Sequence, residues 1–164
     1  MNNITIIPIK NLPEFEPKHD LADEIIKSFS SNNYVLEDKD VIVITQKIVS
    51  KVEDRLIKND NESIEKLIQQ ESLEILRKRG DTVIARTKHG FICANAGIDK
   101  SNIEKGSVLL LPEDPDKTSR DIRKKIEHVT NKKISIIISD TFGRAWRKGQ
   151  TNVAIGSSGI QPLE

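Results

Sequence analysis

The amino-acid sequence predicts one mixed α/β domain, in the α+β sense, over residues 1–164. Two features carry that prediction. Short β-branched runs alternate with stretches whose apolar residues recur at helical spacing. The chain has 164 residues, and a chain of this size buries roughly two-thirds of its unfolded surface, enough for a single core. The composition is lean for such a core, at 36% hydrophobic and 31% charged residues.

The elements follow in order. Residues 4–8 read as a first strand, and residues 9–19, with Pro13 and Pro17, as a loop. Asp20 is a plausible N-cap for a helix whose buried side holds Leu21, Ala22, Ile25, Ile26 and Phe29. Val41-Ile42-Val43-Ile44 has the unbroken β-branched run of a buried strand. Ile64, Leu67, Ile68, Ile75 and Leu76 mark one side of a helix within the charged stretch 56–80, stopped by Gly80. Val83-Ile84-Ala85 and Phe91-Ile92-Cys93-Ala94 are two strands around a turn at Lys88-His89-Gly90. Val108-Leu109-Leu110-Leu111 is a strand ended by Pro112. Ile122, Ile126 and Val129 have helix spacing, and residues 134–138 form the last strand. Gly143, Gly149, Gly156 and Gly159 crowd the tail, where turns or a backbone close to a ligand are expected and no further element is evident.

Several classes are excluded. No apolar run exceeds four residues, so no membrane-spanning segment is expected. The start has no basic region followed by a long apolar stretch, so it does not read as a secretory signal. A single cysteine, Cys93, cannot form an intrachain disulfide and fits a reducing, cytoplasmic setting. A net charge of +1 and six aromatics argue against a nucleic-acid partner.

The chemistry concentrates in a few places. Asp99 ends Asn95-Ala96-Gly97-Ile98-Asp99, and Asp140 directly follows the last apolar strand and precedes Thr141. A carboxylate at a strand end can hold a cation at a cleft, and Asp and Thr oxygens are hard ligands suited to Mg2+ or Mn2+. Turn formation or helix capping explains both aspartates as well. Arg144-Ala145-Trp146-Arg147-Lys148-Gly149 places three cations within nine residues of Asp140. Arg binds phosphate bidentately and Lys adds a point charge, whereas a solvated basic loop accounts for the same residues. Thr45-Gln46-Lys47 leaves a strand end, where ligands often bind in open α/β sheets. His19, His89 and His128 lack metal-ligand spacing, and Cys93 reads as packing. None of the common phosphate-binding glycine motifs is present.

Taken in order, longer stretches resemble the coenzyme F420-0:L-glutamate ligase family, the gamma-glutamyl ligases of a deazaflavin coenzyme. They are Asn11-Leu12-Pro13-Glu14; Gln46-Lys47-Ile48-Val49-Ser50-Lys51; and residues 89–99, from His89-Gly90-Phe91 to Gly97-Ile98-Asp99, with Ser101-Asn102. Further along come Leu111-Pro112-Glu113-Asp114-Pro115-Asp116, then Ile138-Ser139-Asp140-Thr141-Phe142-Gly143-Arg144, then residues 147–156.

The resemblance implies a mixed α/β fold forming an intertwined homodimer. It implies a GTP-dependent ligase joining coenzyme F420-0 to L-glutamate, with release of GDP and phosphate and a requirement for Mg2+ or Mn2+ and for K+. Carried over by position, Leu12, Pro13, Glu14, Phe15, Gln46, Lys47, Lys51 and Asn102 would contact GTP. Asp99, Asp140 and Thr141 would bind metal, with Asp99 and Asp140 at the catalytic centre. Arg144, Arg147 or Lys148 is a candidate for the phosphodiester of the deazaflavin substrate. The family's C-terminal region, which supplies a further Gln metal ligand, is expected to lie beyond this chain, and the stretch between Arg55 and Gln70 is shorter than expected for the family. A ligase acting on another carboxylate, and a non-catalytic nucleotide-binding or assembly module, are the competing expectations.

Overall fold

The computed structural model describes residues 3–58, 63–101, 106–143 and 148–161. Three small sheets carry the β structure. The first has the strand order β1-β7-β8, from β1 (Val41–Thr45), β7 (Ser135–Gly143) and β8 (Gln150–Ser158). β1 runs parallel to β7, and β8 runs antiparallel to it. The second pairs β2 (Leu56–Lys58) with β6 (Ser107–Leu109). The third is the antiparallel set β3 (Ser72–Arg79), β4 (Thr82–Thr87) and β5 (Ile92–Ala94).

Helices α1 (Leu21–Ser31) and α4 (Pro115–Thr130) cover one face of the first sheet. Leu21, Ala22, Ile25 and Phe29 of α1 and Ile122 and Ile126 of α4 meet Ile44, Ile136, Ile138 and Ile155 in the main core. Both helices begin on an aspartate: Asp20 accepts the Asp23 N–H at 3.1 Å, and Asp114 the Lys117 N–H at 2.8 Å, each satisfying an otherwise orphan donor. Helix α2 (Gln46–Val52) starts directly from the end of β1. Helix α3 (Ile64–Glu71) packs Leu67 and Ile68 over the smaller sheets.

Several expectations are corrected. Residues 4–8 form no strand: Ile4 is 91% and Ile6 88% exposed, and no described strand pairs with them. Alternation alone does not make a strand without a partner. The single helix expected within 56–80 is instead β2, α3 and β3. Ser72, at the end of α3, turns extended (φ −105°, ψ 143°), and Gly80 with Asp81 makes the two-residue turn of a β3–β4 hairpin rather than a helix stop. β1 is buried on one face only, since Val41 and Val43 remain exposed. The last strand runs on to Gly143, so Asp140 lies inside β7 and not after it.

The glycine-rich tail forms strand β8, where no element was evident. Gly156 within it serves the packing of the chain on itself. A Cβ on Gly156 would lie 2.5 Å from the backbone carbon and oxygen of Pro115, so β8 approaches the start of α4 as only glycine allows.

Candidate active site

The C-terminal ends of the parallel strands β1 and β7 open into a cavity of about 420 Å³. This is the edge at which open α/β sheets bind ligands. Thr45 pairs with Ser139, so Asp140 is the first β7 residue past the end of β1. Lys47 enters from the first turn of α2, and Asp99 comes from the segment between β5 and β6.

Asp99 is held by its own backbone. Its N–H and C=O both pair with Leu109 at 2.9 Å, and Leu109 is fully buried. The approach to it is a single 3-10-type turn, Asn95–Gly97, in which all three residues have positive φ (51°, 54° and 75°). Such a left-handed run costs energy for the two residues that carry a Cβ. It is stabilised where the Asn95 side-chain oxygen accepts the Val83 N–H at 3.0 Å, and by burial of Ala96. Gly97 answers to two constraints, its φ of +75° and a Leu111 Cδ1 only 2.6 Å from where a Cβ would stand.

The two carboxylates share the cavity but not their surroundings. Burial pushes the Asp99 carboxyl up, yet the Lys47 ammonium and the Ser101 N–H outweigh it and leave Asp99 below the usual range. Lys47 Nζ lies 2.9 Å from Asp99 Oδ2. Asp140 is pushed up, first by desolvation and then by the negative charge of Asp99, against opposition from the Thr141 backbone and Lys47. Among the described residues no cation forms an ion pair with Asp140. Thr141 also lines the cavity, and its hydroxyl donates to Asn152 Oδ1 at 2.9 Å, which leaves oxygen lone pairs free. Cys93 lines the same space as an unpaired, buried thiol, pushed up to about 11 by burial and by Asp140, so it stays protonated near neutral pH.

The structure thus brings Lys47, Asp99, Asp140 and Thr141 together. The remaining expected GTP contacts among the described residues lie outside the cavity lining. Glu14 pairs with Lys51, which tethers the 11–15 loop to α2. Lys51 is one helical turn beyond Lys47, so the two ammonium-bearing chains share a helix face. Leu12 packs partly against the core, and Pro13 is exposed. Phe15 is buried, and so is Gln46, whose Oε1 accepts from Ser50 Oγ at 2.9 Å. The buried Gln46 Nε2 has no hydrogen-bond partner among the described residues. Lys148 is exposed two residues before the cavity residue Gln150. Asn102, Arg144 and Arg147 lie outside the described residues.

Asn95, Ser101 and Gln150 line the cavity without having been singled out as ligands. Their signal was positional: each falls in or beside the ordered stretches that carry the family resemblance.

The donor set fits a hard divalent ion. Two carboxylates and a hydroxyl offer oxygen donors, and among the described residues one carboxylate has no ion pair. Mg2+ is commonly held by one or two carboxylates, with substrate phosphates completing its shell. Among the described residues, no group of three or more His, Cys, Asp or Glu gathers to hold a metal.

The site is a polar cavity beside the ends of the parallel strands of a mixed sheet, lined by two aspartates, a lysine and a threonine hydroxyl. The particular family follows from comparison. Residues 10–164 match the F420-0:Gamma-glutamyl ligase family, and the chain belongs to it. It is similar to the coenzyme F420:L-glutamate ligase of Methanococcus maripaludis, 44% identical over 146 residues that cover 79% of this chain and 58% of the relative. The protein of the same description from Methanocaldococcus jannaschii is 42% identical, with 79% and 59% covered. That from Methanothermobacter thermautotrophicus is 35% identical over 177 residues, with 98% and 70% covered. The chain therefore spans well under two-thirds of the length of some of these relatives. No helix among the described residues is long and apolar enough to cross a membrane.

Proposed function

We propose that the protein takes part in the GTP-dependent ligation of L-glutamate to coenzyme F420-0. The observation that carries this reading is the meeting of Asp99, Asp140 and Lys47 in one cavity of a chain belonging to the F420-0:gamma-glutamyl ligase family.

A carboxylate does not react with an amine directly, because it is a poor electrophile. In the proposed route, an oxygen of the acceptor carboxylate attacks the γ-phosphorus of GTP, and GDP leaves. The glutamate amine then attacks the acyl carbon, an amide bond forms, phosphate departs and the amine loses a proton. Phosphoryl transfer of this kind depends on positioning and charge neutralisation rather than on a nucleophilic side chain.

Asp99, Asp140 and Thr141 would hold Mg2+ or Mn2+. Bound there, the metal would neutralise charge on the transferring phosphoryl group. Lys47 and Lys51, a helical turn apart, would line the triphosphate path, with the 11–15 loop brought alongside by the Glu14–Lys51 pair. Lys148, with Arg144 and Arg147, would take the phosphodiester of the deazaflavin substrate; Arg147→Ala should then raise the Michaelis constant for that substrate, and an unchanged constant removes Arg147 from the site. K+ belongs to the same proposal through the family.

A homodimer is proposed as well, supported by apolar surface on two sheets. Val41 and Val43 on the open face of the first sheet, and Leu73 and Ile92 on the third, are all exposed.

Mass spectrometry of the coenzyme after incubation with the protein, GTP, Mn2+ and glutamate tests the function. The expected result is a gain of one glutamyl unit with stoichiometric phosphate. GTP binding without phosphate release would favour a nucleotide-binding module instead. Phosphate release with another carboxylate acceptor, and none with F420-0, would favour a ligase of different specificity.

A further inference from the structure

One of the cavity's cations is already committed. Lys47 has three N–H donors, and three oxygens surround its ammonium. Asp99 Oδ2 lies at 2.9 Å, Ser101 Oγ at 2.7 Å and the Ser101 carbonyl at 3.3 Å. The Ser101 N–H donates to the other oxygen, Asp99 Oδ1, at 2.7 Å. Ser101 thus grips both members of the pair. Both side chains are about three-quarters shielded from solvent, at 27% and 22% exposure. Asp140, on the opposite strand system, has no such counter-ion among the described residues.

We propose that Lys47 is a built-in competitor for the cation that Asp99 and Asp140 would share, held on Asp99 by Ser101 until the triphosphate draws it away. A positive ammonium against Asp99 repels a divalent ion arriving at the same carboxylate. Moving Lys47 onto phosphate oxygens frees Asp99 and neutralises ligand charge in one displacement. Metal and nucleotide then favour each other's binding, through a named side chain that has two alternative partners. Ser101 is accordingly a positioning residue that acts through Lys47. The inference rests on the metal reading given above for Asp99 and Asp140.

Mn2+ binding to the nucleotide-free protein, followed by the resonance signal of free Mn2+, separates the two ideas. Lys47→Met should tighten Mn2+ binding about two- to fivefold, the scale of a partly exposed ion pair. Removing a positive charge would have part of this effect even without a tether, so Ser101→Ala is the decisive variant. It leaves every charge in place and removes the hydroxyl's hold on Lys47 together with its hydrogen bond to Asp99. It should tighten Mn2+ binding about twofold, a fraction of one hydrogen bond. Tightening in Lys47→Met with none in Ser101→Ala overturns the tether, and so does weaker binding in Ser101→Ala, which would make its hydroxyl a metal ligand. No change in either variant overturns the competitor as a whole. Asp140→Asn tests the underlying reading separately: Mn2+ binding of wild-type strength there refutes the shared site, whatever Lys47 does. Thermal melting of each variant verifies that it is folded.

Discussion

Asp99 and Asp140 are the same residue type in the same cavity, and their surroundings drive them apart. Asp99 carries a lysine and a backbone N–H, whereas Asp140 sits desolvated and faces another negative charge. Each is expected to matter through electrostatics, so Asp99→Asn or Asp140→Asn should lower the ligation rate at least about 100-fold, the cost of losing one key charge-stabilising group. Single-turnover phosphate release measures this directly. Away from the site, Glu127 shows how a carboxylate secures structure. Burial pushes it up, but the Ile134 N–H, Arg123 and Lys133 pull harder and leave it below its ordinary 4.5. A carboxyl lowered in the folded state contributes stability that is present above its unfolded value and lost as pH falls through its folded value. Glu127→Gln should therefore cost about 1 kcal/mol at pH 7, with the gap to wild type closing toward pH 3 in urea titrations. At this scale the sequence was informative where chemistry is local. Both aspartates, Thr141 and Lys47 were legible as polar candidates, and the fold gathers them around one cavity. Ser101 was not, because its role comes from reaching Lys47 across the fold.

Among the elements, those with local signals were readable and those created by pairing were not. Helices α1 and α4 announced themselves through an aspartate cap and a periodic apolar face. The β4–β5 turn was visible in its His-Gly dipeptide, and Gly90 indeed has φ +87°. β3 was hidden because Ile75 and Leu76 continue the helical spacing of Leu67 and Ile68; its strand form depends on its pairing with β4. β8 was hidden because its sequence is small and polar, and it is held by eight residues of β7 alongside and by α4 beneath. That packing is testable. Gly156→Ala should destabilise the protein by about 1–3 kcal/mol through overpacking against Pro115. Gly143→Ala, with open space around its Cβ and no positive φ, should stay within about 0.5 kcal/mol of wild type. Equilibrium denaturation of the pair distinguishes a packing contact from a general intolerance of alanine in the tail.

For the whole molecule, the arrangement places one carboxylate on the helix-backed mixed sheet and the other on a segment pinned to the second sheet, with Lys47 bonded across to Asp99. The fold class was legible from alternating element types, but the division into three sheets was not, since strand order depends on contacts distant in sequence. The exposed apolar residues of two sheet faces, Val41 and Val43 among them where a buried strand was expected, predict association: sedimentation should show a dimer, and Val43→Lys should weaken it. The central claim is narrower, that Asp99 and Asp140 act on one shared cation. A double-mutant cycle on phosphate release, comparing Asp99→Asn, Asp140→Asn and the double variant, tests it most directly. If both serve one ion, removing the second costs little once the first is gone, and the double variant should fall within about threefold of the weaker single variant, as for residues that act as a unit. Losses that multiply would show two independent roles and contradict the shared site.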